Sequence, residues 1–145
     1  MSYRDEIIKK VPEIPALPTA AVQVIRLIQS DKTGLPEIMK TIEHDVALTT
    51  DVLRLANSAY FAGPRRISSM RDAGVLLGTA RIMQLILASA LFPMASKAVK
   101  GYDLPPGQLM DHLLAVAIGA EQLGKQLKLP APSFTFTAGL LHDIG

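Results

Sequence analysis

The sequence predicts an all-α protein, and three observations support that prediction. Apolar residues recur at the helical spacing of i, i+3, i+4 and i+7 along most of the chain. No stretch alternates polar and apolar residues with the period of two that a half-buried strand requires. Of the 145 residues, 49% are hydrophobic but only 5% are aromatic, which is typical of a helical protein with an aliphatic core. We therefore expect a multi-helix bundle.

Three helices are predicted in the first part of the chain, after an N-terminal extension. The first opens at Pro18, and the second follows with Pro36 in its first turn, where the missing N–H would lack a partner in any case. Asp45 is placed to cap the third helix, which ends near Asn57. Asn57 is either a recognition residue or a residue that tolerates left-handed backbone at a helix end. We assign residues 1–13 to the extension.

The next helical region is predicted to be the centre of the bundle. Ser69 and Asp72 resemble a capping box that opens a short helix, and Gly78 separates it from a longer one. The longer helix should be bent or ended at Pro93. Its polar face is almost missing, since few polar residues interrupt it: Arg81, Gln84 and Ser89.

The turn-rich segment 100–107 predicts a boundary between two helical parts, residues 14–100 and 101–145. A long helix then runs to about residue 127. We expect its core-facing stripe to be Leu109, Leu113, Val116, Ala120 and Leu123. The chain closes on a terminal helix over 134–144. Because that helix is apolar on every side, with Phe134, Ala138 and Leu141 on one face, protein should enclose it.

Three polar residues are candidate metal ligands. His142 and Asp143 lie in the terminal helix and should be buried with it, and His112 is predicted on the core side of the long helix. Imidazole and carboxylate groups suit zinc, iron, manganese or nickel. The alternative is that these residues only hydrogen-bond one another in a helix interface. Gly119 and Gly139 should let the two helices approach closely.

Charge and composition exclude several classes of protein. Net charge is +2 and the fifteen Lys and Arg residues are scattered, so we expect no nucleic-acid partner. The start of the chain lacks the pattern of a signal peptide, and the longest apolar run, near 82–95, is interrupted and too short to span a bilayer. We predict a cytoplasmic protein without a membrane partner.

The loop after the third helix is the candidate partner-binding surface. Tyr60, Phe61, Arg65 and Arg66 lie there, and aromatic and Arg side chains are favoured interface anchors. Alternatively, the two aromatic residues are core. The two arginines could also bind a phosphate, or they could simply be solvated side chains of a surface turn, as most such pairs are.

Several stretches, taken together in their order and spacing, resemble the HDOD family, the HD-related output domain. They are Leu17 to Thr19, Asp45 to Leu48, Leu53 to Tyr60, Ile67 to Ser69, Ala73 to Gly78 and Ala138 to Gly145. The resemblance covers about residues 14–145. It implies an all-helical bacterial signalling module, an HDOD-type bundle whose second part is the start of an HD-like subdomain related to metal-dependent phosphohydrolases.

The resemblance also bears on the site. Catalytic HD proteins use a His, a His-Asp pair and a later Asp; His112, His142 and Asp143 match the first three, and the chain ends at Gly145. This implies a non-catalytic module that acts on a protein partner and binds a divalent transition metal weakly. The alternative is an HD-type phosphohydrolase acting on a nucleotide or cyclic dinucleotide. Apolar surface left on the last helix would favour a homodimer.

Overall fold

The computed structural model describes residues 18–30, 32–99, 103–130 and 132–144, so the predicted extension over 1–13 lies outside the described residues. Within these ranges the chain forms six helices and no strand; a single isolated β-bridge pairs Val99 with Leu104. The helices are α1 (Thr19–Gln29), α2 (Leu35–Glu43), α3 (Val46–Ala56), α4 (Met70–Ala95), α5 (Gln108–Gln126) and α6 (Pro132–Leu141). The all-α prediction is confirmed.

Helix α4 is the centre of the bundle. α1, α2 and α3 each pack against α4, and α2 also packs against α1 and α3. α5 and α6 pack on each other and on α4. Within the described ranges, α4 is also the one helix long and apolar enough to cross a bilayer. Its apolar composition is explained by burial, because twelve of its residues lie inside the bundle.

Predicted start and break signals are found in the structure. The Asp45 carboxylate accepts a hydrogen bond from Leu48 N–H at 2.9 Å, and the Ser69 hydroxyl accepts one from Asp72 N–H at 3.0 Å. Gly78 interrupts α4 with φ 73° and ψ 171°, a conformation that L side chains rarely adopt. The helix does not end at Pro93, however; it continues to Ala95.

Asn57 is neither in left-handed backbone, since its φ is −98°, nor free for recognition. Its side-chain amide donates to the carbonyls of Leu53 and Ile67 at 2.7 and 2.8 Å, and its carbonyl oxygen accepts from Ile67 N–H at 2.8 Å. Both sequence readings of Asn57 are therefore wrong. The side chain joins the end of α3 to the loop that leads into α4.

The isosteric change Asn57→Asp should lower the free energy of unfolding by about 2 kcal/mol, because it removes the donor and sets a charged oxygen against two carbonyl oxygens. Urea denaturation would measure the loss. Asn57→Ser, which keeps a short donor without adding charge, should cost less than Asn57→Asp. An Asn57→Asp variant as stable as the wild type would contradict this role.

The predicted core faces of α5 and α6 are only partly correct. In α5, Leu123 is 56% exposed, and the buried residues are Met110, Leu113, Leu114, Ala117, Glu121 and Gly124. In α6, Phe136 and Leu140 are fully buried, but Phe134 is 73% exposed and Leu141 is 46% exposed. The enclosure predicted for the terminal helix is therefore wrong for its Phe134 face, since α4 and α5 cover only the opposite side.

Candidate metal centre

The candidate centre lies where α5 begins and α6 ends. His112 is in α5, and His142 and Asp143 form the turn that follows Leu141. Gly139 explains how closely the two helices approach: a Cβ there would lie 2.8 Å from the Ala117 Cα and 3.0 Å from the Val116 carbonyl oxygen.

The close approach predicted at Gly139 is therefore confirmed. That predicted at Gly119 is wrong, because Gly119 lies on the exposed side of α5 and a Cβ there would meet no atom within 4 Å.

The structure brings the three candidate ligands together. The Nε2 atoms of His112 and His142 are 3.2 Å apart, and the His112 Nε2 is 4.0 Å from an Asp143 carboxylate oxygen. One ligand atom from each residue lies within 4.8 Å of the other two. The convergence on which the metal-site hypothesis depends is present, while ligation itself stays a prediction.

A backbone contact sets the state of one imidazole. The His142 Nδ1 is 2.7 Å from the Gly139 carbonyl oxygen, which can only accept a hydrogen bond. We therefore place a proton on Nδ1, and in the neutral ring this leaves the Nε2 lone pair directed at the cluster. Metal-binding histidines are commonly oriented in this way by their second nitrogen.

The spacing of these atoms fits a transition metal. Two imidazole nitrogens bound to one tetrahedral Zn²⁺ at about 2.0–2.1 Å stand about 3.3 Å apart, and the two Nε2 atoms here are separated by 3.2 Å. Asp143 adds a negatively charged oxygen ligand beside them. The three residues could thus hold a divalent transition metal and leave further coordination positions to water.

The burial expected for His142 and Asp143 is wrong. Both are exposed, as is His112; the Asp143 side chain is 64% exposed and that of His112 is 51% exposed. The reason is that α6 ends at Leu141, so the two residues project beyond the helix into solvent. The centre is therefore open to water.

The four residues of the predicted partner surface differ in their exposure to solvent. Phe61 is only 8% exposed and packs on Phe136 with ring centroids 6.2 Å apart. The alternative that Phe61 is a core residue is therefore confirmed, and its assignment as a partner-binding residue is wrong. Tyr60 is 37% exposed, and its hydroxyl donates to the Asp111 carbonyl at 3.3 Å. Arg65 and Arg66 are exposed. These last three residues remain candidates.

A buried polar cluster joins α4 and α5 and is not among the sequence predictions. The Glu121 carboxylate, only 6% exposed, accepts from Arg81 at 3.0 Å and from Gln84 at 2.8 Å, and Lys125 lies 3.3 Å away. Gln84 is 3% exposed. Arg81 and Gln84 are polar residues in an otherwise apolar helix, and that contrast is the signal in the sequence for this cluster.

The structure thus defines an all-helical domain with an exposed cluster of two histidines and an aspartate. The HDOD domain pattern matches residues 14–145, and the chain belongs to the HDOD family.

Solved structures share this fold. One is a candidate phosphohydrolase from Shewanella amazonensis SB2B, with a TM-score of 0.70 and 33% identity. Another is an HDOD domain protein of unknown function from Geobacter sulfurreducens, with a TM-score of 0.72 and 26% identity. The comparisons cover 95% and 97% of this chain but only 48% and 46% of those proteins.

A Treponema pallidum (strain Nichols) protein of uncharacterized function is 28% identical over 142 residues. That match takes in 96% of this chain and 26% of the relative. The chain therefore spans about half the length of the solved proteins and about a quarter of this relative.

Proposed function

We propose that this HDOD domain is a regulatory module of bacterial signal transduction. It acts in the cytoplasm through a protein partner and binds a divalent transition metal at the His112, His142 and Asp143 cluster without turning over a substrate. The observation that carries the proposal is the convergence of the three side chains, since one ligand atom of each lies within 4.8 Å of the other two. Imidazole nitrogens and a carboxylate oxygen so placed suit a divalent transition metal.

The size of the ligand set supports the same proposal. Within the described ranges, three residues and no fourth can each place a ligand atom in the cluster. Such a set can bind Zn²⁺ or a similar ion, but two neutral imidazoles and one carboxylate supply little negative charge to retain it. Affinity should therefore be modest and reversible, as suits a regulatory metal better than a tightly held catalytic one.

A metal-dependent phosphohydrolase is the second candidate function. The Shewanella neighbour, which is 33% identical, is described as a candidate phosphohydrolase. A three-ligand zinc site with an open position can also activate water. The substrate would be a nucleotide or cyclic dinucleotide whose phosphate reaches the exposed side of the cluster.

Metal titration with a hydrolysis assay separates the two candidates. The purified chain should bind about one equivalent of Zn²⁺ by calorimetry, and a chelator should remove it. His142→Ala should weaken binding at least roughly tenfold through loss of a ligand. His44→Ala is the matched control: it removes the exposed His of the other His-Asp pair and should leave the affinity unchanged.

Assays on a panel of nucleotides and cyclic dinucleotides should show no turnover with bound Zn²⁺ or Mn²⁺. Turnover that requires metal and disappears in Asp143→Ala would replace the regulatory proposal with the enzyme. If wild type and His142→Ala bind metal equally, the cluster would have no role as a metal centre.

A further inference from the structure

The loop between α3 and α4 exposes five consecutive residues, 62–66, between two buried apolar anchors. Phe61 is 8% exposed and contacts Phe136 of α6, and Ile67 is 3% exposed. Because both ends are held in the core, the exposed tip between them has little freedom to reorient.

Hydrogen bonds hold the same loop from inside. The Asn57 side chain binds both the N–H and the carbonyl of Ile67, each at 2.8 Å, and the Ser58 carbonyl accepts from Ala62 N–H at 2.8 Å. Pro64 further fixes the backbone at the tip. The loop is therefore ordered before any ligand arrives, which reduces the entropic cost of binding.

The loop encloses a shallow concavity of about 450 Å³, lined by Asn57, Ala62, Gly63, Pro64, Arg65 and Arg66. Two of these side chains are guanidinium groups and none is a carboxylate. Throughout the described chain, neither arginine has an ion pair, hydrogen bond or ring contact, in contrast to Arg54 and Arg81, which pair with Asp51 and Glu121.

Backbone donors add to this positive lining. The N–H groups of Gly63, Arg65 and Arg66 have no acceptor among the described residues. Asn57 cannot change its own hydrogen bonds without releasing the loop, so it contributes shape and leaves recognition to the arginines. The concavity thus offers a fixed group of donors, two of them cationic, and no negative charge.

We propose that this loop binds a phosphomonoester group, with Arg65 and Arg66 as the recognising side chains. A planar guanidinium can donate two parallel hydrogen bonds to phosphate oxygens, and charge assistance strengthens each bond. The proposal rests on the proposed function for its biological setting, because a phosphorylated side chain of the protein partner is one source of the group. A free nucleotide is the other source.

The test is a titration of the ¹⁵N-labelled chain with inorganic phosphate at constant ionic strength, followed through backbone amide shifts. Saturable shifts should be confined to Gly63, Arg65, Arg66 and their neighbours. The double variant Arg65→Gln, Arg66→Gln should weaken binding roughly tenfold or more. Arg26→Gln, which neutralises an exposed arginine on α1, is the matched control and should bind as the wild type does.

Separate titrations with an O-phosphoserine peptide and with AMP identify the source of the phosphomonoester group. The source is a protein partner if the peptide binds more tightly than inorganic phosphate, and a nucleotide if AMP does. Non-saturable shifts, or binding equal in the double variant and the wild type, would show the loop to be a solvated turn and overturn the proposal. Because both arginines are exposed, the double variant should fold normally, and its Zn²⁺ affinity should not change. Failure to bind phosphate would therefore leave the metal-binding proposal intact, and failure to bind metal would leave the phosphate proposal intact.

Discussion

Replacing Gly139 by alanine should lower the free energy of unfolding by about 3 kcal/mol. The added Cβ would lie 2.8 Å from the Ala117 Cα, 3.0 Å from the Val116 carbonyl oxygen and 3.1 Å from the Ala117 nitrogen. All three are backbone atoms of α5, so no side chain can rotate out of the way and the two helices must move apart. The better helix propensity of alanine, about 1 kcal/mol, cannot offset this separation. Urea denaturation would measure the loss.

Gly119→Ala is the matched control for this prediction. It makes the same chemical change in α5, but at a position where the new Cβ meets no atom within 4 Å. Gly119→Ala should therefore raise the free energy of unfolding by about 0.5–1 kcal/mol through helix propensity alone. If both variants change stability by the same amount, close packing at Gly139 would not be a source of stability.

The metal centre should respond to Gly139→Ala as well. The Gly139 carbonyl oxygen lies 2.7 Å from the His142 Nδ1 and so orients that ring. The close packing of Gly139 on the Ala117 backbone fixes the position of α6 on α5, and with it the position of His142 relative to His112. A displacement of about an ångström would separate nitrogens that now stand 3.2 Å apart. We expect weaker Zn²⁺ binding in this variant under conditions where it remains folded.

The helices and most of their ends could be predicted because they depend on local chemistry. Asp45 and Ser69 cap helices through hydrogen bonds to residues three positions along the chain, and Gly78 breaks α4 through its own φ angle. The inward face of α5 could not be predicted in the same way. Glu121 is buried because Arg81 and Gln84 stand opposite it on another helix, a pairing between residues about forty positions apart.

The candidate site shows the same division. The convergence of His112 and His142 could be expected, since α5 and α6 each needed a neighbour and Gly139 marked a close approach. The exposure of His142 and Asp143 could not be predicted, because the sequence pattern continues the terminal helix past Leu141, whereas the structure ends it there. For Phe61 the sequence leaves two interpretations open, a partner surface and the core. A loop can place a side chain in either, and the contact with Phe136 decides for the core.

Glu121→Ala should also lower the free energy of unfolding at pH 7 by about 3 kcal/mol, since breaking a buried ion pair leaves charged and polar partners without compensation. Gln84 is 3% exposed and would lose its acceptor, and Arg81, with 27% of its side chain exposed, would lose its carboxylate partner. Because Arg81 is partly hydrated, the loss of unfolding free energy should be smaller than the largest losses known for broken buried ion pairs. Asp51→Ala, which breaks the exposed pair with Arg54, should cost less than about 1 kcal/mol and serves as the control.

The same carboxylate should make stability depend on pH. Burial raises the pKa of Glu121, but the hydrogen bond from Gln84 and the charges of Arg81 and Lys125 outweigh burial, so the pKa lies below its ordinary value. The ionised form is thus favoured in the folded state. Its contribution should be complete above the ordinary glutamate pKa of about 4.3 and should be lost as the pH falls through the lower pKa of the folded state.

Glu121→Gln isolates this dependence, because it keeps the shape of the side chain and removes the titration. The difference in unfolding free energy between wild type and Glu121→Gln should be constant near neutral pH, decline below about pH 4.3 and disappear once the buried carboxylate is protonated. Urea denaturation of both proteins across that range would measure it. A difference that persists unchanged through acid pH would mean that the ionised carboxylate, and with it the attraction of Arg81 and Lys125, does not hold α4 and α5 together.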